Sequence, residues 1–164
     1  MTDSYIWQKV RQRFLSIEGT YKNINNEEID IIAKELEETR SGDIEYRYTN
    51  VIEPNEASSR CTLRSKNRIW FEIFPLHTPP SQQELGKAGR NRWKFGLQIN
   101  VNSPKDFGTY DTDVVYDAIA AQFKRGDIFD GIRVLQTAYR SSARMYDDFY
   151  SVPVTIMVQA DLEN

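Results

Sequence analysis

The sequence predicts an α+β fold: a mixed, largely antiparallel β-sheet with helices packed on one face. Three observations carry this. Segments 4–18, 26–40 and 111–124 place apolar residues at helical spacing. Segments 44–52, 68–75, 90–101, 128–139 and 149–162 are rich in alternating, β-branched or aromatic residues, as strands are. The resulting order, α α β β β α β β, has helices bracketing runs of strands, which means α+β. A chain of 164 residues fits one domain, 1–164, large enough to fold without metal or disulfide.

In the first helix Ile6, Val10, Phe14 and Ile17 form a stripe that Trp7 widens, with Asp3 or Ser4 as cap and Gly19 as stop. In the second, Ile29, Ile32, Ala33 and Leu36 share a face, Asn25 or Asn26 is the cap, and Glu27, Glu28, Asp30, Glu35, Glu37 and Glu38 form an acidic outer face. That face is either solvated or a partner-binding arm. Strand 44–52 sets Ile44, Tyr46 and Tyr48 against Glu45, Arg47 and Thr49, and Pro54-Asn55 opens a loop to residue 67.

Strand 68–75 is apolar on both sides: Ile69, Phe71 and Ile73 on one, Trp70 and Phe74 with Glu72 on the other. This suits a central strand or one beneath a subunit contact. Pro75, Pro79 and Pro80 are expected to end it, because proline cannot donate to a ladder. Residues 81–89 read as an exposed loop.

Strand 90–101 alternates most cleanly, with Trp93, Phe95, Leu97, Ile99 and Val101 on one face and Arg92, Lys94, Gln98 and Asn100 on the other. Gly96 marks a bulge or a close backbone approach. After a loop at 102–108, Asp111 or Thr112 caps a helix whose stripe is Val114, Val115, Ala118, Ile119, Ala121, Gln122 and Phe123. Lys124 and Arg125 suit the negative end of its dipole and Gly126 stops it. The strand from Ile128 to Tyr139 turns Ile132, Val134 and Thr137 inward. Residues 140–148 form a loop, and Val152, Val154, Ile156, Val158 and Ala160 alternate in the last strand.

Composition excludes more than it identifies. At 40% hydrophobic and 27% charged residues the chain is not mostly disordered. No apolar run approaches the roughly 20 residues that span a bilayer, so no membrane association is expected. The N-terminus lacks an apolar signal core, and the single cysteine, Cys61, forbids an internal disulfide and suits a reducing compartment. A net charge of −3 gives no bulk support for nucleic-acid binding.

No catalytic, metal or cofactor residues are assigned. His77 is the only histidine, so zinc or a His-activated nucleophile would have to use it. A Cys61–His77 pair is the enzymatic alternative, set against a surface imidazole and a half-buried thiol. The carboxylate pairs Asp111/Asp113, Asp127/Asp130 and Asp147/Asp148 read as caps and turns. Asp127-Ile-Phe-Asp130-Gly131 is superficially like a calcium loop but lacks the other oxygen ligands.

One charge feature stands out. Residues 60–94 carry Arg60, Arg64, Lys66, Arg68, Lys87, Arg90, Arg92 and Lys94 against Glu72 and Glu84, whereas 24–56 is acidic. Opposite-sign surfaces suit head-to-tail contacts between copies. The alternatives are solubilising charge and a strip that touches DNA phosphates. The candidate contact residues are Arg60, Arg64, Arg68, Trp70, Arg90, Arg92, Lys94, Tyr139 and Arg144.

The first helix with Trp7, Val10 and Phe14, then Phe71, Ile73 and Pro75, make a recognisable pattern. Arg92-Trp-Lys-Phe-Gly-Leu-Gln-Ile-Asn-Val-Asn-Ser-Pro104 with Gly108, the helix ending Phe-Lys-Arg-Gly126, Gly131-Ile-Arg-Val and Tyr150-Ser-Val-Pro-Val-Thr-Ile-Met-Val-Gln-Ala-Asp161 complete it. The pattern resembles the tail terminator proteins of long-tailed bacteriophages, of the lambda gpU-like type. It covers 68–161 and, loosely, the first helix. Residues 20–60 depart from it as an inserted acidic helix and loop, and nothing about them is carried over.

The resemblance implies a structural, non-enzymatic virion protein without cofactor. Its subunits form a six-membered ring that caps the tail tube, stops tube polymerisation and meets the head-completion or neck proteins. The genome would pass through the bore with at most weak, sequence-blind contact. The protein would sit at the head-proximal end of the tail, assembled in the host cytoplasm. A neck or head–tail joining subunit is the alternative.

Overall fold

Alternation in the longest strands sets the architecture. The computed structural model describes residues 3–38, 44–53, 68–82, 89–105 and 109–163. Among these are two helices, α1 (Asp3–Leu15) and α2 (Tyr110–Gln122). The strands are β1 (Thr20–Lys22), β2 (Glu28–Asp30), β3 (Lys34–Glu38), β4 (Ile44–Tyr48), β5 (Val51–Ile52), β6 (Trp70–His77) and β7 (Ser81–Gln82). They continue as β8 (Arg90–Pro104), β9 (Ile128–Phe129), β10 (Ile132–Arg140), β11 (Arg144–Met145) and β12 (Phe149–Glu163).

The main sheet runs β5-β6-β8-β12-β10-β9, with β11 on β12 and β7 on β8. Its pairings are antiparallel except that of β5 with β6. β1–β2 and β3–β4 are separate antiparallel pairs. The α+β expectation therefore holds.

β8 and β12 form the spine, in register from Arg90↔Glu163 to Pro104↔Phe149. Because strand side chains alternate, Phe95, Leu97, Ile99 and Val101 share a face with Val154, Ile156 and Val158, all seven fully buried. Both helices pack on that face, closing the core with Ile6, Val10 and Phe14 from α1 and Val115 and Ile119 from α2. Phe14 meets Phe71 edge-on at 5.3 Å, an arrangement that suits the ring quadrupoles. The opposite face carries no helix among the described residues.

Of the expected helix 26–40, the described residues 26–38 are not helical. β2 and β3 lie within them, and the Asn residues expected to cap a helix instead make a hairpin turn. The Asn23 side-chain oxygen accepts the N–H of both Asn25 and Glu27, with Asn26 at φ 62°. This local bonding competes with helix initiation. Buried Asn50 then holds the chain extended: its Nδ2 donates to Ile31 O at 2.7 Å and its Oδ1 accepts from Ala33 N at 2.9 Å. A side chain nearly twenty residues away thus takes the place of a ladder partner, and the β-branched Ile29, Ile31 and Ile32 suit the extended form.

Smaller corrections follow the same logic. α1 ends at Leu15 rather than Gly19, because α2 caps it from outside: Gln122 Nε2 donates to Arg13 O (3.2 Å) while Arg13 Nε donates to Gln122 O (3.0 Å). Expected strand 44–52 divides at Thr49-Asn50. Pro75 lies inside β6, not at its end. Phe71 N–H points away from β8 to Asn50 O, so position 75, of the same parity, needs no donor toward β8.

The loop expected from residue 102 begins later, since β8 runs to Pro104, and β7 and β11 lie where loops were expected. Thr109, not Asp111 or Thr112, is the N-cap of α2. Ala121 is exposed. Expected strand 128–139 is a hairpin, β9–β10, turned by Asp130 (φ 48°) and Gly131 (φ 77°), the positive-φ pair of a two-residue turn. Ala138 rather than Thr137 turns inward: it shares the parity of Ile132 and Val134, and the two bulges of β10, each adding one residue, cancel in parity.

Gly96 is a close approach, as expected. A Cβ there would lie 2.9 Å from Leu76 Cβ and 3.0 Å from Met157 Sδ, its two cross-strand neighbours.

Candidate functional site

The open face of the sheet takes its side chains from the alternate positions of β6, β8, β12 and β10. In register across it run Phe74–Gln98–Thr155–Tyr139 and then Leu76–Gly96–Met157–Gln136. Next come Lys94–Gln159–Arg133 and, at the end, Arg92–Asp161. Arg92 forks onto Asp161, Nε to Oδ1 at 2.8 Å and Nη2 to Oδ2 at 3.1 Å. The carboxylate holds the guanidinium proton and pushes its pKa above the usual value. A cleft of about 260 Å³ opens beside this pair, lined by Arg92, Ile128, Gly131, Arg133, Gln159 and Asp161. Arg133 and Ile128 are both exposed there, and Arg133 has no ion pair among the described residues.

At the other end of the same face Trp70, Phe149 and Ile52 form a small apolar cluster, with Tyr146 stacked on Phe149 at 4.5 Å. Trp70 is only 1% exposed. It is therefore a packing residue here and not a surface contact, a correction to its place in the candidate set. Its indole Nε1 and both amide atoms of neighbouring Asn102 are buried without hydrogen-bond partners among the described residues.

The remaining candidates are scattered. Arg68 is half-buried and donates Nη2 to Asp30 O at 2.8 Å. Lys94 is exposed beside the cleft; Arg90 opens β8; Tyr139 is partly exposed on β10; Arg144 is exposed on β11. Arg60 and Arg64 lie outside the described residues, as does Cys61. The structure brings together Arg92 and Lys94 and adds Arg133, which sequence reasoning missed. The signal for Arg133 is pairing register, which no local pattern reveals.

A second cleft, of about 210 Å³, is lined by Ile17, Glu18, Gly19, Asp30, Ile32 and Lys34. It lies at the base of the β1–β2 hairpin, which Tyr21 anchors: the phenol, 4% exposed, accepts the Ile69 N–H at 2.9 Å. Burial raises the Tyr21 pKa, and the Ile69 hydrogen bond opposes it. Arg13 anchors the opposite side, with Nη2 3.3 Å from Asp127 Oδ2 and its guanidinium 4.5 Å over the Phe129 ring.

His77 is exposed and edge-on to Phe95 at 5.7 Å. Among the described residues no group of His, Cys, Asp or Glu is placed to hold a metal ion. Of the carboxylate pairs, Asp113 meets Arg140, Asp127 meets Arg13, and Asp111 is buried in the first turn of α2, where desolvation raises its pKa. Asp130 belongs to the hairpin turn, not to a calcium loop. No described helix is long and apolar enough to cross a membrane.

A scan against protein-family models finds no match, and neither does a search of the curated proteins. Six chains of solved structures match. One of them, which carries no functional name, is 20% identical and covers 57% of this chain and 67% of its own, at a TM-score of 0.41. A likeness of that size supports no argument about function.

Proposed function

We propose that this chain is a structural subunit of a bacteriophage virion: a tail terminator that assembles into a ring, hexameric by resemblance, at the head-proximal end of the tail. The ring caps the tail tube, stops its polymerisation and joins it to the neck or head-completion proteins. It has no catalytic role and needs no cofactor, and genomic DNA crosses its lumen with weak, sequence-independent contact.

The observation that carries this reading is the division of the subunit into unlike surfaces. A closed ring needs two different flanks that complement each other, since its contacts are heterologous. Here helices cover one sheet face. The other is open, with Arg133 and Lys94 at one end, while Glu27, Glu28 and Asp30 lie on a hairpin beside the far end. The sequence pattern over 68–161 names the kind of ring.

Electron microscopy of the purified protein and of assembled tails tests the proposal. Closed rings, and density for this chain where tube meets head, are expected. A protein that stays monomeric alone and within tails refutes it. Placement in the neck instead of on the tube end would favour the joining-subunit reading.

A further inference from the structure

Charge is sorted between two distant corners of the molecule. The β1–β2 hairpin belongs to one, held by Tyr21 on Ile69 and by Arg68 on Asp30. Ile24, at its turn, is 65% exposed. Glu27, Glu28 and Asp30 flank it, also exposed, and none makes an ion pair among the described residues. The other corner is the Arg92–Arg133 cleft. Trp70, next to the hairpin anchor at Ile69, pairs with Asn102 on β8, whereas Arg92 is ten residues back along that strand. At about 3.4 Å per residue the corners stand roughly 30 Å apart. That is several screening lengths at physiological salt, so the hairpin cannot satisfy the cleft of its own chain.

We propose that the β1–β2 hairpin of one copy docks into the Arg92–Arg133 cleft of a second copy, head to tail. This contact rests on the ring reading and supplies its lateral interface. The chemistry matches on both counts. Exposed Ile24 meets exposed Ile128, an apolar contact that offsets desolvation, and Glu27 and Glu28 meet Arg133 and Lys94, which no described carboxylate pairs. Arg92 is already committed to Asp161 and acts as the fixed wall of the cleft. A nucleic-acid strand fits less well, because among the described residues Arg133 and Lys94 are the unpaired cations at the cleft, too few to hold a run of phosphates. A single hairpin–cleft contact leaves one hairpin and one cleft free, so its head-to-tail repetition generates a ring or a filament.

Charge reversal on the full chain, read by native mass spectrometry and sedimentation velocity, tests this. Arg133→Glu and Glu28→Arg should each weaken self-association by about tenfold or more. Ile24→Asp, at an exposed position, should do the same. Mixing the Arg133→Glu and Glu28→Arg proteins should restore assembly, because each then offers a complementary hairpin and cleft to the other. That recovery also shows that both variants are folded. Variants that assemble like the unaltered chain, or a mixture that stays dissociated, overturn the contact and leave the ring reading standing. An unaltered chain that remains monomeric alone and in tails removes both.

Discussion

The two faces of the main sheet come from alternate residues of the same strands, yet they obey different constraints. On the helix side Phe95, Leu97, Ile99 and Val101 are fully buried and meet α1 and α2. On the other side Lys94 is exposed and Gln98 and Asn100 are half-buried. One face secures the fold and leaves little freedom in side-chain volume. The other tolerates polar chemistry and is available for contact, except where two strands approach at Gly96 and where the Trp70 cluster closes its end.

The largest expected effect lies on the covered face. Phe71→Ala removes a fully buried ring that packs edge-on to Phe14, and should cost about 3–5 kcal/mol in urea unfolding with an unchanged m-value. A loss below about 1 kcal/mol would mean that the helices are not firmly seated on the sheet. Next is Gly96→Ala on the open face, whose new methyl group meets Leu76 Cβ and Met157. It should cost about 1–3 kcal/mol, and adding Met157→Ala, which removes the Sδ, should recover part of that loss, measured as a double-mutant cycle.

Asn102→Leu should be nearly neutral or gain up to about 1 kcal/mol, since it removes a buried amide with neither end bonded among the described residues. A loss above about 2 kcal/mol in thermal unfolding would show that water or another group bonds that amide.

The smallest effect is a pH dependence from Asp111. Burial raises its pKa in the folded protein, so the folded state keeps a proton that the unfolded chain has already lost. Stability from this group therefore falls as pH rises from the ordinary carboxylate value through the raised one. Asp111→Asn should flatten that part of the stability curve, compared by unfolding across mildly acidic pH. An unchanged slope would contradict the burial of this carboxyl.

The candidate contact set shows where local reading stops. Arg92 and Lys94 stand out in the sequence because they alternate with Trp93 and Phe95 on a strongly patterned strand. Trp70 also looked available, but Phe149, far along the chain, covers it at 5.5 Å. Arg133 reached the cleft through the pairing of β10 with β12, which no residue near it encodes. The Asp130-Gly131 hairpin does have a local signal, a strong turn dipeptide between apolar runs, which the reading of 128–139 as one strand passed over.

Period-2 alternation in β8 and β12 and the apolar stripes of α1 and α2 determined the class of fold and most of the core from the sequence alone. Burying one face of a regular element imposes a repeat that composition cannot hide. Tertiary structure alone decided the conformation of residues 28–38, where the helical spacing of Ile29, Ile32 and Ala33 was overruled. There the Asn23 turn and the Asn50 amide supply the backbone's hydrogen bonds in the extended form. A short segment follows whichever partner satisfies its N–H and C=O groups, and for this one a decisive partner is nearly twenty residues away.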